Sequence, residues 1–241
     1  MKIAVQLYSI RQTIEKEGLE NVLSKIKQIG YDGIEFYTFY DLAEKKLKNM
    51  LDKYGLSSAS AHCSFDLLLN ETDKLISYAK ALGMKTLVNP GCSIDRLEND
   101  YNGVISGMSR ILERLKAAGI SFAYHNHAHE LGKTDYLKKM CADLPGLKLQ
   151  PDTFWVRAAG YDPYEYAEKI IDKIEFFHIK ELSEKGIHEA NPVPGQGISS
   201  TPQIVALAKR RKMEWLILEA EKFDTDEWEY LEKSYKALSK M

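Results

Sequence analysis

Short apolar segments alternate with longer amphipathic segments along the whole chain, and this alternation limits the folds that it can adopt. Eight short segments have the length of strands, and most are rich in Ile, Val, Phe, Leu or Tyr: residues 3–8, 33–37, 58–62, 86–89, 121–125, 148–151, 175–179 and 215–219. They lack the polar alternation of a half-exposed strand, which is typical of parallel strands buried on both faces. The segments between them show the spacing of amphipathic helices. Residues 19–29 and 105–118, for example, are each followed by a glycine that ends the pattern.

The strand–helix unit recurs about every 30 residues, which predicts an α/β fold, a (β/α)₈ TIM barrel formed by residues 1–241 as a single domain. A doubly wound open sheet is the main alternative. That fold usually carries a glycine-rich phosphate-binding turn after an early strand, and the residues that follow the first predicted strand contain no such turn. No linker or low-complexity segment divides the chain.

Composition and charge narrow the class of function. The chain has 33 Lys and Arg against 35 Asp and Glu, whereas domains that grip a phosphate backbone carry a clear basic excess. Its three cysteines are scattered and form no CxxC pair, which is typical of a reducing compartment. The first apolar run, residues 3–10, is too short to span a membrane. We expect a cytoplasmic enzyme that binds neither nucleic acid nor membrane, and homo-oligomerisation stays open.

Polar residues stand at the ends of the predicted strands. In a (β/α)₈ barrel the carboxyl ends of all strands open onto one shared mouth. Asp152, His178 and Glu219 each end an apolar run, and the fifth strand leads into HNHAHE, residues 125–130. A buried carboxylate is costly without a partner, and a mixed set of carboxylates and imidazoles suits a divalent cation. The pattern predicts a metal centre, with separate salt bridges and helix caps as the alternative.

Four further residues lie at or just beyond strand ends: Glu35, His62, Trp155 and Lys180. We expect them to line a substrate pocket. An aromatic ring such as Trp155 can pack on the face of a sugar, and Lys180 can contact a hydroxyl or carbonyl oxygen. The alternatives are core packing for the tryptophan, an ion pair at the barrel mouth for the lysine, and buried polar contacts for Glu35 and His62.

The motifs resemble, in the same order along the chain, those of xylose isomerase-like barrels of the sugar phosphate isomerase/epimerase branch. They are YHNHAHE, QPDTFWVRAAGYDP, FFHIKE, PGQGI and LILEAE, and the resemblance covers the whole chain. Members of this family bind one divalent cation through a Glu, an Asp, a His and a second Glu. The resemblance thus implies Glu130, Asp152, His178 and Glu219 as ligands of one ion, with Mn²⁺ first and Mg²⁺, Co²⁺ or Zn²⁺ as alternatives. A histidine of HNH is the alternative to Glu130.

The resemblance also implies an isomerase or epimerase that moves a proton next to a carbonyl of a small ketose or keto-sugar through an enediolate. In epimerases two metal-bound glutamates carry the proton, which implies Glu130 and Glu219, but His125 or His127 can compete as the base. A histidine base also permits a second hypothesis, a lyase or dehydratase acting on a keto-inositol or 3-keto-glycoside. The third hypothesis is a catalytically dead barrel that serves as a binding protein.

Overall fold

The structure, a computed structural model, describes all 241 residues. Eight strands pair in parallel in one sheet, in the order β6-β5-β4-β3-β2-β1-β8-β7. The strands are β1 (Lys2–Gln6), β2 (Gly33–Phe36), β3 (Ser57–His62), β4 (Thr86–Asn89), β5 (Ser121–His125), β6 (Lys148–Gln150), β7 (Phe177–Ile179) and β8 (Trp215–Leu218). Isolated parallel bridges, Leu149 with Ile174 and Asp152 with His178, join the two edges into a nearly closed barrel. The predicted (β/α)₈ barrel is confirmed, with a strand at each of the eight predicted positions.

At least one helix follows every strand. The helices are α1 (Arg11–Glu17), α2 (Leu19–Ile29), α3 (Glu44–Tyr54), α4 (Phe65–Asn70), α5 (Thr72–Leu82), α6 (Ile94–Asn99), α7 (Tyr101–Ala117), α8 (Tyr136–Asp143), α9 (Thr153–Ala158), α10 (Pro163–Ile170), α11 (Thr201–Arg210) and α12 (Glu227–Leu238). None of them combines the length and the hydropathy that crossing a membrane requires.

Three short helices begin just after strand ends, and each is started by a capping side chain. Ser64, Ser93 and Asp152 accept a hydrogen bond from the backbone N–H three residues further on, at the first turns of α4, α6 and α9. These caps turn the chain sharply at the carboxyl end of the barrel. They therefore keep the residues that follow β3, β4 and β6 close to the mouth.

The barrel interior is apolar toward the amino ends of the strands and polar toward their carboxyl ends. Because side chains two residues apart share one face of a strand, Ala123 lies below His125 and Ile217 below Glu219. The lower layer is a cluster of seven buried apolar residues: Ala4, Ala59, Val88, Ala123, Phe176, Trp215 and Ile217. A separate cluster of 59 buried residues packs the helices onto the outside of the sheet. The polar layer is therefore held over a packed floor.

Candidate active site

Four side chains from four strand ends meet in the barrel mouth. His125 ends β5, Asp152 follows β6, His178 lies in β7 and Glu219 follows β8. His125 Nε2 is 3.4 Å from Asp152 Oδ2, and His178 Nδ1 is 2.8 Å from Glu219 Oε2 and 3.9 Å from Asp152 Oδ2. One ligand atom of each residue lies within 4.8 Å of the other three, and all four side chains are buried. We call these four residues the candidate ligand group.

Several atoms of the candidate ligand group have no hydrogen-bond partner. Both ring nitrogens of His125 and Asp152 Oδ2 are buried and unpaired, and the only close partner of His178 Nδ1 is Glu219 Oε2. Leaving a buried polar atom unpaired costs roughly 1–3 kcal/mol, so a group of them at one point needs an explanation. Imidazole nitrogens and carboxylate oxygens at these separations are the ligands that divalent transition metals take in proteins. The four residues therefore fit a single divalent cation.

Below this group, the fully buried carboxylate of Glu35 is surrounded by donors. It accepts hydrogen bonds from Gln6 Nε2 at 2.6 Å, Ser60 Oγ at 2.5 Å and Gln150 Nε2 at 2.8 Å. His178 Nε2 lies 2.5 Å from Glu35 Oε2. Because an ionised carboxylate only accepts, Nε2 carries the proton, and Nδ1 is the nitrogen directed at the candidate ligand group. A carboxylate that orients a histidine in this way commonly supports a metal ligand.

The contact between Glu35 and His178 shifts the pKa of both groups. Burial raises the pKa of Glu35, but the charges of His62 and His178 outweigh it and lower the pKa to about 2. Burial lowers the pKa of His178, but the carboxylates of Glu35 and Glu219 outweigh it and raise the pKa to about 10. In the metal-free barrel at neutral pH, His178 is therefore a cation. Metal binding at Nδ1 must displace one proton, so it is favoured by rising pH.

Lys180 provides a positive charge beside the candidate ligand group, on the side of Glu219. Its ammonium is buried and donates to Glu219 Oε1 at 3.1 Å and to Glu221. Burial alone would raise the pKa of Glu219, but Lys180 and His178 lower it well below the usual range. Burial raises the pKa of Asp152, with Lys180 opposing. Lys180 therefore holds one oxygen of Glu219 and leaves the other facing His178.

We expect Glu35→Gln to weaken metal binding by about 10–100-fold, because the amide no longer provides the carboxylate that orients His178. Competition with a chelator of known affinity measures the change. Ser60→Ala is the matched control, since it removes a hydrogen bond to the same carboxylate without touching His178, and it should cost less. Equal affinity in wild type and Glu35→Gln would show that Glu35 does not support the metal centre.

A cavity of about 510 Å³ opens above the candidate ligand group, and we call it the mouth cavity. Its lining residues are Tyr8, Tyr37, His62, Ser64, Pro90, His125, His127, Trp155, Glu219 and Glu221. Tyr8 and Tyr37 stand edge to face with ring centroids 5.4 Å apart. Trp155 packs against His127, with centroids 5.4 Å apart. Because β6 lies four strands from β2 in the sheet order, the tyrosines and the tryptophan approach from opposite sides of the barrel.

A profile of the xylose isomerase-like TIM barrel family matches residues 23–241. The chain belongs to this family. It is similar to inosose dehydratase of Mesomycoplasma hyopneumoniae strain J, with 26% identity, covering 84% of this chain and 81% of that protein. Among solved structures, a sugar phosphate isomerase/epimerase from Parabacteroides distasonis gives a TM-score of 0.82 at 20% identity, covering 100% of this chain and 99% of the other. The L-ribulose 3-epimerase structure gives a TM-score of 0.75 at 16% identity, covering 99% and 94%. The family resemblance drawn from the motifs is confirmed.

In this xylose isomerase-like barrel, Glu130 lies outside the candidate ligand group. Its Oε2 accepts the backbone N–H of His127 at 2.8 Å, and its Oε1 accepts the hydroxyl of Tyr124 at 2.8 Å. His125 stands in the group at the place that the resemblance implied for Glu130. The reason is local, because Glu130 is the third residue after His127, and in the short 3₁₀ turn Ala128–Leu131 its side chain reaches back to the His127 backbone N–H. Strand alternation points His125 inward above Ala123.

The residues predicted to contact substrate divide into two sets. His62 and Trp155 line the mouth cavity. Glu35 lies below the candidate ligand group and Lys180 is buried beside it, so both contact that group and neither lines the mouth cavity. His62 also reaches the hydrogen-bond partners of Glu35, with Nε2 at 2.7 Å from Gln150 Oε1.

Five lining residues of this xylose isomerase-like barrel were not assigned a role from the sequence: Tyr8, Tyr37, Ser64, Pro90 and Glu221. Each stands one to three residues beyond a strand end, which is the signal that could have marked them. Tyrosine and glutamate are also common on ordinary surfaces, so this signal is weak when taken one residue at a time.

Proposed function

We propose that this xylose isomerase-like barrel is a metal-dependent enzyme that removes a proton next to a carbonyl of a keto-inositol and eliminates water from it. The observation that carries the proposal is the convergence of buried nitrogen and oxygen atoms of His125, Asp152, His178 and Glu219 beneath the mouth cavity, where those of His125 and Asp152 Oδ2 have no hydrogen-bond partner. The cavity volume falls in the range of pockets that enclose one small molecule. The likeness to an inosose dehydratase supports the substrate class.

A divalent cation held by the candidate ligand group supplies a Lewis acid that polarises a carbonyl oxygen. Two imidazole nitrogens and two carboxylate oxygens suit Mn²⁺, Co²⁺ or Zn²⁺ better than Mg²⁺, which prefers oxygen ligands. We expect Mn²⁺ to support activity.

His127 is the residue that takes the proton. Its ring lines the mouth cavity, while its hydrogen bonds run through its backbone, from N–H to Glu130 and from Asn126 to its carbonyl. Burial lowers the pKa of His127 below its usual value, so the imidazole is neutral at pH 7 and can accept a proton. A well-placed general base contributes about 10²–10⁴-fold to a rate.

His127 alone can carry the proton through the whole elimination. His127 removes the proton from the carbon next to the carbonyl, and the electron pair of that C–H bond forms the new double bond. The hydroxyl on the following carbon leaves, and the His127 imidazolium returns its proton to that hydroxyl, so that water is released. Glu221, which is partly exposed and lines the same cavity, is suited to accept hydrogen bonds from the ring hydroxyls.

The charges of the mouth cavity favour an uncharged substrate. Two carboxylates, Glu219 and Glu221, line it, and no arginine or lysine does. Lys180 is paired with both carboxylates, and the Arg11 guanidinium lies 4.0 Å from the ring centroid of Tyr8. A phosphate group would meet these two carboxylates with no lysine or arginine in the cavity lining to pair with. The aromatic rings of Tyr8, Tyr37 and Trp155 suit the apolar face of a polyol ring instead.

A sugar isomerase or epimerase is the second candidate, because Glu219 and Glu221 stand beside His127 in one cavity and offer a second proton carrier. In that case the proton returns to carbon and no water is lost. Both candidates share the first step.

The test is incubation of the Mn²⁺-reconstituted protein with keto-inositols and ketoses in ²H₂O, followed by NMR and mass spectrometry. We expect solvent exchange next to the carbonyl and a product that has lost one water, with a keto-inositol as substrate. Exchange that yields only an isomer or epimer would replace the first candidate with the second. Absence of exchange with every compound, in protein that holds one ion per chain, would refute both.

A further inference from the structure

The carboxylate of Glu130 is wholly buried, and both of its oxygens have hydrogen-bond partners within the protein. Oε2 accepts the backbone N–H of His127 at 2.8 Å. Oε1 accepts the Tyr124 hydroxyl at 2.8 Å and lies 3.3 Å from His129 Nε2. Burial raises the pKa of Glu130, but the contact with His129 outweighs it and lowers the pKa, so the group is a carboxylate at neutral pH. An anion with three partners has little capacity left for a further ligand.

The same partners join the loop after β5 to the loop after β4. The Tyr124 hydroxyl accepts the backbone N–H of Cys92 at 2.7 Å, and His129 Nε2 lies 2.7 Å from the carbonyl oxygen of Cys92. Since both neighbours of that nitrogen are acceptors, Nε2 carries a proton. Glu130 therefore sits at the centre of a buried network that fixes the two loops relative to each other.

The ring of His127 is seated against this network. Gly91 has a φ of +120°, and a Cβ there would lie 3.0 Å from His127 Nδ1 and 3.2 Å from Glu130 Oε1. The imidazole thus packs directly on the Gly91 backbone. It also stacks on His129, with ring centroids 5.7 Å apart and planes inclined by 9°. The backbone hydrogen bond to Glu130 sets where this ring meets the mouth cavity.

We infer that Glu130 is a positioning residue for His127 and does not bind the metal ion. It fixes the backbone at His127 and so holds the imidazole at the position in the mouth cavity from which it reaches the substrate carbon. This inference rests on the proposed function, in which His127 takes the proton. A displacement of about 1 Å at a reacting group can cost about 10²-fold in rate, so a residue that only holds the base has a large effect.

Metal content separates a positioning role from a ligand role. We expect Glu130→Gln and Glu130→Ala to retain the Mn²⁺ content of the wild type, about one ion per chain. Glu130→Ala should lower kcat by about 10²-fold with little change in KM. Glu130→Gln keeps an oxygen that can accept the His127 N–H, so it should recover most of this loss. Loss of the ion from Glu130→Gln would overturn the inference.

A double-mutant cycle shows whether Glu130 acts through His127. Once His127→Ala has removed the base, adding Glu130→Ala should cost less than about 2-fold in kcat. Additive losses would show that Glu130 acts independently and would overturn the inference. Tyr124→Phe is the matched control, because it removes another hydrogen bond to the same carboxylate and leaves the one to His127, so its effect should be smaller than that of Glu130→Ala.

A readout without turnover keeps this test separate from the proposed function. The ¹⁵N signals of the His127 imidazole in the Mn²⁺-free protein, assigned by comparison with His127→Ala, should match the wild type in Glu130→Gln and move in Glu130→Ala. If the wild type converts no substrate, the proposed function fails while metal content and these signals still decide the role of Glu130. Unmoved signals in Glu130→Ala would refute the positioning role.

Discussion

Asp152→Asn is expected to release the bound metal ion and to lower kcat/KM by at least about 10³-fold while the barrel stays folded. The expected loss exceeds the 10–100-fold typical of a residue that only supports a ligand, because Asp152 Oδ2 belongs to the candidate ligand group itself. Asn preserves the start of α9, where Asp152 Oδ1 accepts the Trp155 N–H at 3.1 Å, because Asn and Asp cap helices equally well. Metal content and steady-state kinetics check the result.

The direction in which Asp152→Asn changes the stability of the metal-free protein can be predicted. Burial raises the pKa of Asp152 in the folded, metal-free barrel above its unfolded value. An ionised group with a raised folded pKa destabilises the fold at neutral pH, so replacing it with a neutral amide should leave the melting temperature of the metal-free protein equal or higher.

Asp162→Asn is the matched control for this substitution. Asp162 caps α10, accepting the N–H groups of Tyr164 and Glu165 at 3.0 Å, and lies outside the candidate ligand group. It should keep the ion and the activity. If Asp152→Asn retains its ion and turns over like Asp162→Asn, the assignment of the ligand group is wrong.

His127→Ala and His125→Ala are both expected to lose activity, but for different reasons. His127→Ala should lower kcat by about 10²–10⁴-fold, because the general base is lost while all four candidate ligands remain. His125→Ala should lose activity together with the metal ion, because it removes one of the four. Metal analysis combined with the rate of solvent proton exchange separates the two outcomes.

His188→Ala is the control for both histidine substitutions. His188 is exposed on the loop between β7 and α11, outside the candidate ligand group and the mouth cavity, and its removal should change neither readout. Undiminished exchange in His127→Ala would remove that residue from the mechanism. A full complement of metal in His125→Ala would restore Glu130 as the first ligand to test.

Most strands were predictable because they are buried on both faces and therefore read as short, largely apolar runs. Short helices were harder. A six-residue helix such as α4, α6 or α9 has too few turns to show a period, and each forms because a capping side chain follows a strand. The predicted start of a helix at residue 105 was late, since Asn102-Gly103 resembles a turn. Asp100 instead accepts the Gly103 N–H at 3.2 Å and starts α7 at Tyr101.

The same physics explains what the sequence indicated about the site. Asp152, His178 and Glu219 stood out because a charged or imidazole side chain at the end of an apolar strand enters the barrel mouth. The position of Glu130 outside the candidate ligand group could not be predicted from the sequence, because a loop carboxylate can turn toward a metal or toward a backbone N–H. The roles of Glu35 and Lys180 depend on contacts between strands that are distant in sequence, and spacing along one strand does not reveal such contacts.

The most direct test of metal-assisted proton removal is hydrogen exchange of a keto-inositol in ²H₂O, measured by NMR with chelator-stripped and Mn²⁺-reconstituted protein. We expect exchange at the carbon next to the carbonyl only in the reconstituted sample, which should hold about one ion per chain. Equal exchange in the stripped sample would contradict a role for the metal. A wild-type protein that takes up no metal would contradict the site itself and favour a barrel that only binds its ligand.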